Sequence, residues 1–219
     1  MRLLFLTIIP FFLITDSSFS QDDKEKENNN SVYSGLKFRS IGPALMSGRI
    51  SDIIIHPKNE NTWYVTAGSG GVWKTENSGT TWNPIFDSQK SYSIGCISMD
   101  PQNNNVLWVG TGENVGGRHV GYGDGIYKSE NGGQSWSKKG LNKSEHISKI
   151  IIHPNNSNIL WVASQGPLWS NGGERGVYKT TDGGKTWQRK LGDDQWIGAT
   201  DLLIDSRNPD ILYLSLIHI

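Results

Sequence analysis

Short apolar runs alternate with polar, glycine-rich turns along most of this chain, at a spacing typical of β-strands. Four near-continuous apolar segments recur, at residues 49–57, 94–101, 147–154 and 199–205. Runs of this length without polar alternation are typical of strands buried on both faces. Helix signals are nearly absent after residue 30, so the pattern predicts an all-β fold.

Each of the first three apolar runs is followed by three shorter segments in a fixed order. The second segment spans 63–67, 107–111 and 160–164, and the third spans 71–75, 125–129 and 176–180. The fourth begins at a repeated tryptophan: Trp82, Trp136 or Trp187. Four short antiparallel strands in about 50 residues predict a β-propeller blade. With half of a fourth repeat, the chain is expected to hold about three and a half blades.

One turn precedes each repeated tryptophan, at 75–82, 129–136 and 180–187, and we call it the Asn/Asp turn. Its pattern is hydroxyl, any, Asn/Asp, any, Gly, any, hydroxyl, Trp. The amide or carboxylate accepts hydrogen bonds from nearby backbone, and the glycine adopts a positive φ that a Cβ opposes. The tryptophan covers the hairpin and packs on the neighbouring blade. These residues are therefore predicted to be structural: Asn77, Gly79, Trp82, Asn131, Gly133, Trp136, Asp182, Gly184 and Trp187.

The Asn/Asp turn resembles the Asp-box, or bacterial neuraminidase repeat. The blade order, with its Ile-Ile-Ile-His-Pro strand, resembles the sortilin N-terminal (Vps-ten) propeller and its exported bacterial relatives. That family includes sorting receptors, photosystem assembly factors, sialidases and xyloglucan hydrolases. The resemblance, over residues 38 to about 213, implies an incomplete propeller but not one activity.

The ends of the chain differ from the repeats. Residues 1–20 combine Arg2, an apolar run and a small-residue cleavage site, which predicts a signal peptide and a secreted, periplasmic or extracellular protein. Residues 21–37 are polar and are expected to form a disordered linker. The propeller is assigned to 38–213, and 214–219 are predicted to be a non-native tail, with the remaining blades missing. The lone Cys96 is expected to be a small buried residue.

The balance of charged residues limits the classes of partner that this chain is expected to bind. Lys plus Arg and Asp plus Glu both number 21, so the chain lacks the basic footprint of nucleic-acid binding and of docking on an anionic membrane. We expect no nucleic acid, no membrane contact after signal cleavage, no cofactor and no metal. His56 and His153 recur at one repeat position, where a turn-capping role is expected rather than metal ligation.

Candidate ligand contacts lie in the segments that vary between repeats. Strand alternation places the second-to-third strand loops and the blade-to-blade links at one end of the blades, and variable loops usually carry function. The candidates for ligand binding there are Arg49, Arg118, His119, Trp169, Arg175 and Trp196. The candidate catalytic carboxylates are Glu113, Asp124 and Glu174.

Two functions fit these candidates. The first and favoured one is a binding module for a protein, peptide or carbohydrate ligand. The alternative is a glycoside hydrolase with two carboxylates ~5–10 Å apart. In the xyloglucan hydrolases an Asp precedes a Gly-Gly pair in the first blade, whereas this chain has Gly68 there. The arginine triad of sialidases is also not visible, since this end offers only Arg49, Arg118 and Arg175.

Overall fold

The structure is a computed structural model that describes residues 49–114, 120–192 and 194–218. The predicted signal peptide, the predicted linker and the first residues assigned to the propeller lie outside the described residues. The described part is all-β. Its strands are β1 (Ile50–Ile55), β2 (Trp63–Ala67), β3 (Gly71–Thr75), β4 (Asn83–Pro84), β5 (Ile94–Met99), β6 (Leu107–Thr111), β7 (Ile126–Ser129), β8 (Ser137–Lys138), β9 (Ile147–His153), β10 (Asn156–Ser164), β11 (Gly176–Thr180), β12 (Gln188–Leu191), β13 (Ile197–Ile204) and β14 (Leu212–His218).

The strands form three complete antiparallel blades and half of a fourth, as the repeat predicts. The sheets run in chain order: β1–β4, β5–β8, β9–β12 and the pair β13–β14. Each fourth strand begins one residue after the repeated tryptophan. Strand β14 continues to His218 and pairs with β13 through the residues predicted to be a non-native tail, whose origin stays a prediction.

The register is the same in every blade. Val65 faces Ile53, Val109 faces Ile97, Val162 faces Ile150, and Leu214 faces Leu202. A register shift recurs at the same repeat position of every first strand, between Ile50 and Asp52 in blade one and between Ala199 and Asp201 in blade four. Such bulges re-aim side chains at the end of a sheet.

The core lies between blades. Blade one packs Tyr64, Val72 and Phe86 against Ile97 and Val109 of blade two. Equivalent clusters join blades two and three, and blades three and four. Cys96 belongs to the middle cluster, where burial raises the pKa of its thiol to about 12. This thiol is therefore a small core group, as predicted, and not a nucleophile.

The first strand of blade one is less buried than the sequence predicts. It is predicted to be buried on both faces, yet Ile50 is 65% exposed and Ile53 and Ile55 are each 51% exposed. Ile97 and Ile150, the counterparts of Ile53, are only 3% and 1% exposed, since a preceding blade covers them. No blade among the described residues covers this side of blade one.

Candidate functional site

The two ends of the blades are clearly distinguished. In each complete blade, the Asn/Asp turn bonds the asparagine-rich turn that joins the first two strands: Ser78 N–H to Asn61 O (3.0 Å), Gly132 N–H to Asn105 O (2.8 Å) and Gly183 N–H to Asn158 O (3.0 Å). Both kinds of turn therefore share one end, as predicted. The second-to-third strand loops and the blade-to-blade links lie at the other end, which we call the mouth end.

The Asn/Asp turns form the predicted hydrogen bonds. Asn77 Oδ1 accepts from the Thr75 hydroxyl and the Thr81 N–H, both at 2.9 Å, and Asn131 repeats this arrangement. Bonds from the Thr186 hydroxyl and backbone, and from Thr180, lower the pKa of Asp182. Gly79, Gly133 and Gly184 have φ of 88°, 89° and 81°.

The same end also uses its histidines as predicted. His56 Nδ1 accepts the Lys58 N–H at 3.2 Å, and His153 Nδ1 accepts the Asn155 N–H at 3.1 Å. Both rings cap a turn. The indole N–H groups of Trp136 and Trp187 donate to Ile85 O (2.7 Å) and Lys139 O (2.6 Å) of the preceding blade. This end is scaffold.

At the mouth end, three blades converge on one carboxylic acid residue, Glu113. Arg49 Nε donates to Glu113 Oε1 at 2.6 Å, the Glu113 N–H donates to Ser93 Oγ at 3.0 Å, and His146 Nδ1 bonds Glu113 O at 2.8 Å. Arg49, Ser93 and His146 are repeat equivalents, because each stands immediately before the first strand of its blade. The side chain, N–H and C=O of Glu113 are thus each held from a different blade.

The ion pair between Arg49 and Glu113 is asymmetric. The Glu113 side chain is 3% exposed and the Arg49 side chain is 55% exposed. The hydrogen bond from Arg49 to Glu113, with the charge of the carboxylate, raises the pKa of Arg49. A carboxylate buried to this extent requires its cation, and removing one partner of such a pair is costly.

The Glu113 side chain also fills the space above Gly68 in blade one. A Cβ on Gly68 would lie within 2.6 Å of the Glu113 carboxyl carbon, closer than real Cβ contacts allow. A side chain on residue 68 would therefore require the Glu113 carboxyl group to move. The carboxylate of Glu113 fills the space over Gly68.

Several buried acceptors around Glu113 have no hydrogen-bond partner among the described residues. They are Glu113 Oε2, His146 Nε2 and Gln165 Oε1. Gln165 joins the group because its Nε2 donates to Asn114 O at 3.1 Å and its N–H to His146 O at 2.9 Å. Since His146 Nδ1 faces a carbonyl, it carries the proton, and Nε2 of the neutral ring is an acceptor. Burial lowers the pKa of His146, although the carbonyl and charge of Glu113 oppose this shift.

The backbone beside this cluster is strained. Glu145 has φ of 56°, and Leu141 in the same blade link has φ of 51°. The Glu145 carbonyl accepts the Gly123 N–H at 2.7 Å, which ties the link to the loop of blade two. Left-handed backbone at residues other than glycine persists only where the surroundings impose it, and it clusters at functional sites.

The other two candidate carboxylates, Asp124 and Glu174, form hydrogen bonds with residues outside the Glu113 cluster. Asp124 Oδ2 accepts from the Tyr127 hydroxyl at 2.8 Å and from Lys138 Nζ at 2.9 Å. Glu174 Oε2 accepts the Lys143 N–H at 2.7 Å. No hydrogen bond or ion pair between described residues connects either of them with Glu113. Their catalytic roles stay predictions.

The structure contradicts the ligand contact predicted for Arg175. The sequence predicts that it contacts a ligand, but the residue is 1% exposed and its guanidinium donates to the carbonyls of Gly172, Gln165, Pro167 and Ser170. All of these carbonyls belong to residues 165–172, in and just before the loop that Arg175 closes. Arg175 therefore stabilises the shape of the blade-three loop rather than offering a charge to a ligand.

Trp169 and Trp196, the two tryptophans outside the repeat that are predicted to contact a ligand, are exposed at the surface. Trp169 is 66% exposed and Trp196 is 41% exposed. Their segments are joined by the Gly172 N–H to Gln195 O bond (3.0 Å) and by Asn171 Nδ2 to Gln195 Oε1 (3.1 Å). Arg118 and His119, the remaining candidates, lie outside the described residues.

Three residues of the cluster were missed: Ser93, His146 and Gln165. The sequence held a signal for the first two, because they align with Arg49 at the start of the apolar runs. Gln165 follows the second strand of blade three, where blades one and two carry Gly68 and Gly112. A polar residue at a position otherwise occupied by glycine was the available clue.

Within the described ranges, no group of three or more His, Cys, Asp and Glu side chains is arranged to hold a metal ion. Over the same residues, no helix has the length and apolar character that crossing a membrane requires.

Comparison with known proteins finds sequence similarity to xyloglucanases and structural similarity to solved β-propellers. No protein-family model matches it. It is 24% identical over 172 residues to a xyloglucanase of Hypocrea jecorina, covering 72% of this chain and 20% of that protein. It is 24% identical over 158 residues to the xyloglucanase Xgh74A of Acetivibrio thermocellus, covering 65% of this chain and 18% of that protein. The chain thus spans about a fifth of these relatives.

Solved structures support the fold. An ancestral GH74 enzyme superposes with a TM-score of 0.61 and 23% identity, covering 82% of this chain and 23% of the enzyme. The GH74 xyloglucanase of Xanthomonas campestris gives a TM-score of 0.55 and 16% identity, covering 73% and 25%. The architecture is a β-propeller of which this chain holds a part.

Proposed function

We propose that this chain forms part of a glycoside hydrolase-type propeller that binds a carbohydrate at its mouth end, with Glu113 as the acidic residue of the site. The observation that carries the proposal is the convergence of Arg49, Ser93 and His146 on Glu113. Three blades hold this residue, and its Oε2 is left without a partner among the described residues.

The chemistry of the cluster fits a ligand rich in hydroxyl groups. Glu113 Oε2, His146 Nε2 and Gln165 Oε1 are all acceptors that a hydroxyl donor would satisfy, and since all three are buried, the mouth-end loops must open before a ligand reaches them. The exposed rings of Trp169 and Trp196 offer apolar faces at the same end. Because the curated relatives are xyloglucanases, xyloglucan is the first polysaccharide to test.

Hydrolysis requires two carboxylates, one acid and one base or nucleophile. Glu113 is the candidate for one, since it lies where a side chain on residue 68 would be. Among the described residues, no carboxylate other than Glu113 is hydrogen-bonded or ion-paired to Arg49, Ser93 or His146. We infer that the second comes from a part of the protein outside these residues.

A non-catalytic binding module is the second candidate, and one observation favours it. Gly68 stands where xyloglucan hydrolases carry an Asp, and Arg49 neutralises the carboxylate that fills that space. The likeness of the Asn/Asp turn to the Asp-box and sortilin families, and export of the chain, also remain proposals. They rest on residues 75–82, 129–136 and 180–187 and on residues 1–20.

The proposal is tested by native gel electrophoresis in gels that contain xyloglucan. We expect the chain to be retarded and Glu113→Gln to bind at least about tenfold more weakly, since a charge-assisted hydrogen bond contributes ~1.5–3 kcal/mol. Glu60→Gln, an exposed change at the scaffold end, is the control and should bind normally. Equal retardation of all three proteins would contradict a site at Glu113.

A parallel assay separates the two functions. Because hydrolysis requires the second carboxylate, this assay uses the whole protein: release of reducing ends from xyloglucan, abolished by Glu113→Gln, would support hydrolysis. Binding without any release would support the binding module.

A further inference from the structure

One residue position at the mouth end is held by the same backbone hydrogen bond in three blades. It is the second residue before the first strands of blades two, three and four, and we call it the rim position: Tyr92, Glu145 and Gln195. Its carbonyl accepts an N–H from a glycine between the second and third strands of the preceding blade: Gly71 N–H to Tyr92 O (2.8 Å), Gly123 N–H to Glu145 O (2.7 Å) and Gly172 N–H to Gln195 O (3.0 Å). The backbone contact is therefore constant, whereas the side chain differs in each blade.

Glu145 differs from the other two rim residues in its backbone conformation. Its φ of 56° lies in the left-handed region, which neither Tyr92 nor Gln195 adopts. An added Cβ on Gly112 would overlap the Glu145 carbonyl oxygen, so the link and the loop of blade two approach each other closely here. Glycine fits this conformation best, and a residue with a side chain is kept there only under constraint. A glutamate at this place therefore indicates a use for its side chain.

The carboxyl group of Glu145 is half-buried and unpaired. In the described part of the chain, Glu145 forms hydrogen bonds only through its backbone carbonyl, and no cation lies within ion-pair distance of its carboxyl group. Burial raises the pKa of Glu145, and the charge of Arg175 opposes this shift only in part. Desolvating a carboxyl group without a partner is costly, and such groups are concentrated at functional sites.

Glu145 lies beside the Glu113 cluster. It directly precedes His146, whose Nδ1 bonds Glu113 O at 2.8 Å. The Tyr122 ring packs against the His146 ring with their centroids 5.6 Å apart, and Tyr122 is 59% exposed. Tyr122 also directly precedes Gly123, which donates to the Glu145 carbonyl. These groups belong to blades two and three, each of which has a neighbouring sheet on both sides, so the ends of the chain do not create their accessibility.

We propose that Glu145 is a second acidic contact for the carbohydrate at the mouth end, where its carboxyl oxygens accept hydrogen bonds from sugar hydroxyl groups. Such charge-assisted bonds are stronger than neutral ones. Because Glu145 is only half-buried, a ligand reaches it without the loop opening that the acceptors around Glu113 require. The inference rests on the proposed function and concerns binding; Glu145 is assigned no step of hydrolysis.

Native electrophoresis in gels that contain xyloglucan tests this assignment. Glu145→Gln and Glu145→Gly should each bind at least about tenfold more weakly than the wild-type chain, since each removes the charged acceptor. Glycine adopts the left-handed backbone without strain, so Glu145→Gly should not lower the unfolding free energy measured in urea. Ser78→Gly is the matched control: Ser78 has φ of 54° at the scaffold end, and the variant should bind like the wild type.

The possible results separate this inference from the proposed function. Weaker binding with unchanged stability in Glu145→Gly would support it. Wild-type affinity in both Glu145 variants, with Glu113→Gln still weakened, would overturn the inference and leave the proposed function in place. Weaker binding that accompanies a loss of unfolding free energy in both Glu145 variants would assign the residue a structural role and also overturn it. If xyloglucan did not retard the wild-type chain, the proposed function and this inference would both fail.

Discussion

Glu113 is held by contacts from three blades, and its carboxyl group fills the space that a side chain on residue 68 would need. The Cβ that Gly68→Ala adds would overlap the Glu113 carboxyl group, so the carboxylate must move away from Arg49. Overpacking of this kind costs about 1–3 kcal/mol of unfolding free energy. Chemical denaturation measures the loss.

A double-mutant cycle assigns that loss to Glu113. In a Glu113→Ala background the obstruction is absent, so the same Gly68→Ala change should cost much less. Equal costs in both backgrounds would show that Gly68 is required for another reason.

His146 links stability to pH. Burial holds its folded pKa below the ordinary 6.5, so the folded protein resists a proton that the unfolded chain accepts. The two states differ between the folded pKa and about 6.5, and the unfolding free energy should fall as pH drops through that window, by up to ~1.4 kcal/mol per pH unit. Above pH 6.5 the ring is neutral in both states and has no such effect.

Urea denaturation at several pH values measures this slope. His146→Asn, whose amide can still donate to Glu113 O, should remove the part of the slope due to residue 146. His153→Asn at the scaffold end should leave it in place. A slope unchanged in His146→Asn would contradict the burial argument.

Sequence predicted some of these residues and not others, for physical reasons. The position of Arg49, Glu113 and the two tryptophans outside the repeat at the mouth end was predictable, because strand alternation assigns each loop to one end of the blades. Ser93 and His146 were accessible through the repeat register. The role of Arg175 was not, because the carbonyls that surround it are gathered by the path of its own loop, which no residue pattern specifies.

At the level of elements, the Asn/Asp turn joins each hairpin to the neighbouring blade. Gly184 combines φ of 81° with a tight contact, since an added Cβ would lie 2.7 Å from Cη2 of Trp108 in blade two. Gly184→Ala should therefore lower the unfolding free energy through both backbone strain and packing, by about 2–4 kcal/mol.

Gly172 offers a matched control. Its φ is 79°, and an added Cβ meets nothing within 4 Å. Gly172→Ala should therefore cost only the backbone part, about 1 kcal/mol. If thermal denaturation showed the same loss for both variants, the turn would not carry the contact between blades.

The order of the strands was predictable because the repeat fixes it. Four segments per repeat, with hairpin turns between them, leave few alternatives to a blade. The exposure of β1 was not predictable from its own residues. Ile50 and Ile53 are the same residue type as their buried counterparts Ile94, Ile147, Ile97 and Ile150, but no described blade precedes them.

Across the whole molecule, the two ends of the blades have different roles: the end with the Asn/Asp turns is structural, and the mouth end carries the candidate site. One end repeats the same turns and hydrogen bonds in three blades, while the other varies and gathers its polar groups on one glutamate. A ligand is expected at the variable end. The tryptophans provide reporters at both ends, since Trp136 and Trp187 are at the scaffold end and Trp169 and Trp196 are at the mouth end.

Titration of the ¹⁵N-labelled chain with xyloglucan oligosaccharide, followed through the indole N–H signals, tests this division most directly. We predict that the signals of Trp169 and Trp196 shift with saturation while those of Trp136 and Trp187, bonded to Ile85 O and Lys139 O, stay in place. Saturable shifts of Trp136 and Trp187 alone would contradict it.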